Sequence, residues 1–337
     1  MTVGDGRSET ADMGPVAGPQ QYEGISKAIR QANTDGARMM TGADAGDPVG
    51  YTDAMNRTIA LAFVAWLVGV PASRASAQIL AAKDGPVVYG HHHLSASSID
   101  AHKKFWVETL GGTAIKAGTF DVITFPNVLI FLSARPQNGP TKGSSVNHIG
   151  FSVPNLRQVV DKVKANGYRM VTSEEAPAGV TVRDDIGLTG SGIAYALGPD
   201  GVKVELLQVD AQKTPIAHHH VHFFGEQPAE MRAWYMKVFG ARERQTVTNG
   251  IIGADLPGGG LSFSQASGPV TGTRGRALDH IGFEVKNLEA FCKNLEAQGI
   301  KLDVPFRTVP ALNITLAFIT DPWGTYIELN EGLENIR

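Results

Sequence analysis

The chain has one cysteine, Cys292, in 337 residues. A lone thiol cannot form an intrachain disulfide, and a cysteine-rich zinc site is excluded. Neither sign of charge dominates: 30 basic residues face 33 acidic ones, for a net charge of −3. The sequence therefore lacks the basic patch or stripe that marks a nucleic-acid or anionic-membrane binder. Nucleotide motifs are missing too. The run Pro257-Gly258-Gly259-Gly260 has no Lys-Ser/Thr after it, so it reads as a hairpin turn and not as a phosphate loop. There is no serine nucleophile elbow.

What is present begins with a change of character near residue 55. Residues 1–54 are rich in Gly, Ala, Asp and Gln without sustained apolar periodicity, and read as a disordered extension. Arg57 then precedes an uncharged apolar run, Thr58–Val70, followed by Pro71 and the small-residue pattern Ala75-Ser76-Ala77. A basic start, a short greasy stretch and an A-x-A site are the layout of a secretory signal peptide over 55–77, implying a periplasmic or secreted protein. The run is shorter than the ~20 residues that span a bilayer, so no membrane association is expected after cleavage. On this reading Met55 is the true start, and Met1 peptides in the native host would contradict it.

The rest of the chain repeats itself, and self-similarity is the strongest fold signal a sequence offers. Four segments open alike: Gly90–Gly112, Asn147–Tyr168, His218–Gly240 and Asp279–Ile300. Each starts as a histidine-bearing alternating strand, passes through a polar turn, and enters a helix that ends at glycine. Leu156, Val159, Val160 and Val163 mark one helical face, and Leu288, Phe291 and Leu295 another. Gly167 and Gly299 stand where a helix end needs positive φ. Alternating runs follow, such as Val128–Ala134, Gly192–Leu197, Gly260–Ala266 and Thr315–Thr320. GPDGVKVELLQ (198–208) matches DPWGTYIELNE (321–331), each a tight turn leading into a strand with a central glutamate. The expected fold is α+β: four βαβββ modules paired in sequence order, 1 with 2 and 3 with 4, into two open, curled mixed-sheet barrels. The domains are then 86–209 and 218–333, with 210–217 as linker.

Nine of ten histidines lie on the opening strands; only His102 falls in a helix. Strand period two puts His91 and His93 on one face with His92 opposed. It likewise groups His218, His220 and His222 against His219. Counting back 14 residues from Phe105 and from Trp234 reaches His91 and His220, fixing a common register. Modules 2 and 4 offer His148 and His280 in the frames HIGFSV and HIGFEV. The closing strands offer Glu205 and Glu328 between apolar neighbours, where a carboxylate is costly unless paired or bound to metal. Two imidazoles and one carboxylate suit Fe(II), Mn(II), Ni(II), Co(II) or Zn(II), with positions left for a substrate. Fe(II) heads the expectation, with Mn(II), Ni(II) or Zn(II) behind it. His93 and His222 are candidate acid/base groups or hydrogen-bonding supports. His92, His218 and His219 are expected at surface or edge positions.

Through the frames DHIGFEV and DPWGTYIEL and the helix ending in QGI, residues from about 86 to 333 resemble two tandem domains of the vicinal-oxygen-chelate superfamily. Glyoxalase I, the extradiol dioxygenases, methylmalonyl-CoA epimerase and the bleomycin- and fosfomycin-resistance proteins belong to it. The resemblance implies metal ligands from the first and last strands of modules: His91, His148 and Glu205 in one domain, His220, His280 and Glu328 in the other. Glyoxalase I has a further glutamate on the last strand of its other modules. Here the nearest matches are Phe131 and Phe263, a departure toward the three-ligand pattern of ring-cleaving extradiol dioxygenases. That group has a tyrosine ten residues before its ligand glutamate; Tyr195 matches in the first half, while Phe318 stands there in the second. Its additional catalytic histidine, upstream of the second ligand histidine, has no counterpart near Leu132-Ser133-Ala134. The expected function is a metal-dependent enzyme on a small substrate chelated through vicinal oxygens, leaning to an extradiol-type dioxygenase. A glyoxalase-like lyase or isomerase is the alternative, and a non-catalytic drug-resistance-type binding protein the rival from another class. The expected partner is a small molecule, and the expected assembly a monomer or homodimer.

Overall fold

The computed structural model describes residues 85–248 and 250–336; the extension 1–54 and the signal segment 55–77 lie outside them. Module 1 comprises β1 (Val87–Ala96), α1 (Ile99–Lys103, continuing in wider π-type turns over Lys104–Thr109), β2 (Thr113–Ala117), β3 (Phe120–Phe125) and β4 (Val128–Ala134). Module 2 comprises β5 (Val146–Val153), α2 (Leu156–Ala165), β6 (Arg169–Met170), β7 (Thr181–Arg183), β8 (Ile186–Leu188), β9 (Ile193–Leu197) and β10 (Lys203–Gln208). Module 3 holds β11 (Ala217–Gly225), α3 (Pro228–Phe239), β12 (Arg242–Thr248), β13 (Ile251–Leu256) and β14 (Gly259–Gln265). Module 4 holds β15 (Leu278–Val285), α4 (Leu288–Ala297), β16 (Val304–Val309), β17 (Ile314–Thr320) and β18 (Tyr326–Glu331). This is the α+β architecture read from the repeats.

Local chemistry explains the elements. Asn155 caps α2 by accepting from Gln158 N, and Asn287 caps α4 by accepting from Ala290 N. Gly167 and Gly299 take φ of 83° and 79° just past these helices, a conformation that costs a side-chain-bearing residue but not glycine. Strand period two sorts β15: Ile281, Phe283 and Val285 enter the apolar core, while His280 and Gly282 alternate with them. β5 repeats this with Ile149, Phe151 and Val153 against His148 and Gly150.

The modules do not pair in sequence order. One sheet runs β16-β17-β18-β15-β1-β4-β3-β2 and so joins module 4 to module 1. The other runs β12-β13-β14-β11-β5-β10-β9-β8-β7, with β6 on β9, and joins module 3 to module 2. The opening strand is the free edge of every module, and an edge presents unpaired backbone groups that need a partner strand. β1 finds β15 and β5 finds β11, both antiparallel. The short segment 135–145, with two prolines and two glycines, carries the chain from β4 in one sheet to β5 in the other. The expected coupling of 1 with 2 and 3 with 4 is thus replaced by 1 with 4 and 2 with 3. Both sheets contribute to one apolar core, with Tyr89 and Phe283 from the first and Phe151 and Phe223 from the second.

Glu284 is buried on β15 and accepts hydrogen bonds from the Gly332 and Leu333 amides at 2.7 and 3.1 Å. Burial lifts its carboxyl to about 7. In the unfolded chain it titrates near 4.3. Between these values the folded state holds a proton that the unfolded state has released. Stability therefore falls as pH rises from about 4.5 to about 7 and stays lower above. Glu284→Gln should shrink the difference in stability between pH 5 and pH 8, at a cost common to both pH values because its NH2 group faces one of the two amides from which Oε1 and Oε2 now accept. Thermal melts at both pH values test this; an unchanged difference between the two pH values in the variant would count against it.

Candidate metal centres

In the first centre three side chains converge from three strands. Glu328 on β18 directs Oε2 to His280 Nε2 at 2.8 Å and lies 3.3 Å from His91 Nε2. His93, two residues beyond His91 on β1, joins them: each of His91, His93, His280 and Glu328 offers a ligand atom within 4.8 Å of the others. All four residues are buried.

The second centre repeats the plan. Glu205 Oε2 on β10 lies 2.7 Å from His148 Nε2 and 3.3 Å from His220 Nε2. His222 Nδ1 is 3.1 Å from His148 Nε2. Here too the four buried residues place ligand atoms within 4.8 Å of one another.

Sheet register builds both clusters. His91 pairs with Gly282 across the β1–β15 ladder, and Gly282 pairs with Glu328 across β15–β18. His220, Gly150 and Glu205 repeat this relation. The glycine of each HIGF frame has a steric purpose. A Cβ on Gly282 would stand 1.9 Å from His91 Cε1, and one on Gly150 would stand 2.1 Å from His220 Cε1. Only a residue without a side chain lets the imidazole of the opposite strand lie over this one.

Neighbouring residues fix the rings. His280 Nδ1 donates to Asp279 Oδ1 at 2.6 Å, and His148 Nδ1 to Asn147 Oδ1 at 2.9 Å. With Nδ1 as donor, each Nε2 faces the glutamate and is the nitrogen that, once deprotonated, would offer its lone pair to an ion. Asn330 Nδ2 donates to Glu328 Oε1 at 2.8 Å, leaving Oε2 for the cluster. Burial opposes ionisation of both glutamates, yet the hydrogen bonds from His280 and His148 and the close imidazoles of His91 and His220 hold them well below the usual carboxylate range. Burial pushes His148 down to about 4 and His93 and His222 well below the ordinary imidazole value. Burial also lowers His280, but the carboxylates of Asp279 and Glu328 outweigh it and raise the net value.

Ionised glutamates and neutral imidazoles at His91, His93, His148 and His222 are the protonation states that metal ligation needs, while His280, whose value is raised, releases its proton as an ion binds. Both ring nitrogens of His91 are buried without a hydrogen-bond partner, a costly state unless a cation accepts the lone pair. A carboxylate oxygen and several lone-pair nitrogens aimed at one point form such a receptor, and a divalent ion that accepts N and O donors fits it.

Each centre opens into its own cavity. The first, of about 230 Å³, is walled by Phe120, Phe131, Leu316 and Phe318, with Arg307 among its lining residues. The second, of about 420 Å³, is lined by Tyr195, Ser262, Thr189, Ser191 and Arg244 beside the ligand set. Tyr195 pairs across the sheet with Glu205, and Phe318 with Glu328. The Tyr195 ring lies edge-on to His148 at 5.5 Å between centroids. Burial, aided by the Glu205 charge, raises its phenol far above the ordinary value, so it stays protonated.

All six residues expected as ligands face these clusters, but their partition differs from expectation. His91 joins His280 and Glu328, not His148 and Glu205; His220 joins His148 and Glu205, not His280 and Glu328. The cause is the module pairing described above. His92 and His218, expected at the surface or an edge, are buried against Tyr89 between the sheets. A register shift between His218 and His220 breaks period two and turns His218 from the ligand face into the core. His219 is exposed. On β14 the position facing the second cavity is Ser262, which pairs with His222; Phe263 instead stacks on Phe223 in the core. Asp279, Asn147, Asn330, Gly150 and Gly282 were not singled out. For all but Asn330 the one sequence signal is the polar residue before, and the glycine two after, the ligand histidine in NHIG and DHIG.

The model of the Glyoxalase/Bleomycin resistance protein/Dioxygenase superfamily matches residues 88–206 and 217–329. Among solved structures, glyoxalase I from Zea mays is similar at 15% identity and a TM-score of 0.57, over 74% of this chain and 93% of that one. A putative dioxygenase from Bacillus subtilis subsp. subtilis str. 168 is similar at 12% identity and a TM-score of 0.53, over 74% of this chain and 90% of that one. At such identities the likeness is one of fold. No curated protein matches the chain.

Proposed function

Because the chain belongs to the Glyoxalase/Bleomycin resistance protein/Dioxygenase superfamily, we propose that it is a metal-dependent enzyme with two centres, each taking a small substrate that presents two adjacent oxygens. The observation that carries this reading is the pair of buried His-His-Glu constellations, each with ring-orienting partners and an open cavity. His91, His280 and Glu328 would hold one divalent ion, and His148, His220 and Glu205 the other. Fe(II) is the first candidate, with Mn(II), Ni(II) and Zn(II) as alternatives. The ion would supply Lewis acidity toward the chelated substrate, or oxygen chemistry if it is redox-active.

The chain's own residues set the rest. Asp279 and Asn147 keep each ligand ring in one tautomer and orientation. Phe120, Phe131 and Phe318 give the first cavity apolar walls, and an apolar wall beside the ion would strengthen electrostatic contacts there. In the second centre the protonated Tyr195 hydroxyl would donate a hydrogen bond to an oxygen of the substrate, a role that Phe318 cannot take in the first.

Extradiol-type ring cleavage is supported by the single carboxylate in each ligand set. A redox-neutral lyase or isomerase is favoured by a different observation: His93 and His222 crowd the ligands and bring a further nitrogen to each. Oxygen electrode measurements on anaerobically purified, metal-loaded protein separate the two. Oxygen uptake with catechols or hydroquinones that depends on Fe(II) is the ring-cleavage result. Turnover of a 2-oxoaldehyde thiohemiacetal without oxygen uptake is the redox-neutral one. Binding of such molecules by protein that takes up no metal would contradict the enzymatic reading.

A further inference from the structure

We propose that His93 and His222 are metal ligands, so that each centre is a three-histidine, one-glutamate site. The proposal rests on the metal-centre reading above and deepens it.

Three observations lead here. First, each of these histidines places a ring nitrogen within the same 4.8 Å cluster as the other donors. Second, each is held from behind by a serine. His93 Nε2 lies 2.7 Å from Ser133 Oγ, and His222 Nε2 lies 2.8 Å from Ser264 Oγ. A serine hydroxyl can accept from Nε2–H and so leave the lone pair on Nδ1, as the outer partners of metal-bound imidazoles do. His222 Nδ1 does face the cluster, 3.1 Å from His148 Nε2.

Third, the sheet register shows what these residues replace. In modules 4 and 2 a glycine pairs with the ligand glutamate, Gly282 with Glu328 and Gly150 with Glu205. At the corresponding places in modules 1 and 3, His93 pairs with Phe131 and His222 with Ser262. The closing strand has no carboxylate there, and the opening strand has an imidazole where modules 4 and 2 have glycine. The exchange occurs twice, each time with its serine.

Four protein donors leave two positions on a six-coordinate ion. One vicinal-oxygen chelate fills both, which fits the redox-neutral reading better than one needing a further site for oxygen.

Cobalt(II) binding to the full chain tests this, with visible absorption reporting coordination and a competing chelator reporting affinity. His93→Ala should weaken cobalt at one of two centres by more than about 100-fold and alter the visible bands of that centre alone. His222→Ala should do the same at the other. The untouched centre serves as the control for folding. Ser133→Ala and Ser264→Ala, milder changes, should weaken one centre each by about 10–100-fold. If the histidine variants bind two equivalents with unchanged affinity and spectrum, the assignment is overturned while the His-His-Glu reading stands. Wild-type protein that takes up no cobalt overturns both.

Discussion

Glu328→Ala should remove one of two bound metal equivalents, lower affinity at that centre by at least about 100-fold, and leave the second centre intact. The carboxylate is the only anionic member of its cluster, and it touches both His280 and His91 through one oxygen. Without it, neutral imidazoles must bind a divalent charge in a buried space. The variant also removes the carboxylate that His280 Nε2 contacts in the metal-free protein, a cost of about 1–3 kcal/mol. Glu205→Ala should mirror this at the other centre, where His148 and His220 depend on the same kind of oxygen. Metal analysis with thermal melts of each variant reads both effects. Loss of both equivalents from either single variant, in protein that still folds, would contradict the independence of the centres.

Gly282→Ala should do comparable damage although it removes no chemistry. The added methyl would stand 1.9 Å from His91 Cε1, far inside van der Waals contact. His91 cannot step aside, because Phe131 and His280 flank its ring at centroid distances of 5.1 and 5.6 Å. Gly282 has no positive φ, so the backbone accepts alanine and the cost is the collision alone. Overpacking of this kind costs about 1–3 kcal/mol. The displaced imidazole should reduce metal affinity at that centre by at least about 10-fold, on the scale of lost orienting contacts. Gly150→Ala should act in the same way on His220. A Gly282→Ala protein with full metal content and an unshifted melt would show that the close packing of ring on backbone is not required.

Much of this was legible in the sequence because strand and helix periods act locally. The HIGF frames, the helix-ending glycines and the glutamates between apolar neighbours each report which face a residue takes, and those faces hold in the structure. The pairing of modules was not legible. Period two tells a strand which face is buried, but β1 satisfies its hydrogen bonds equally on β5 or β15, and that choice is made by long-range packing. His218 was misplaced for a related reason. A register shift spends one residue without a partner, and nothing in the run HHHVH marks where. The roles of Asp279 and Asn147 were hidden because alternation puts a residue next to a ligand on the far face, whereas their short side chains fold back onto the neighbouring ring.

The crossing of the chain's two halves at each centre is the claim on which the rest depends, and metal content of paired variants tests it directly. His91→Ala with Glu328→Ala strikes one centre twice and should leave one equivalent per chain; His91→Ala with Glu205→Ala strikes both and should leave none. The reverse result, none in the first pair and one in the second, would contradict the account.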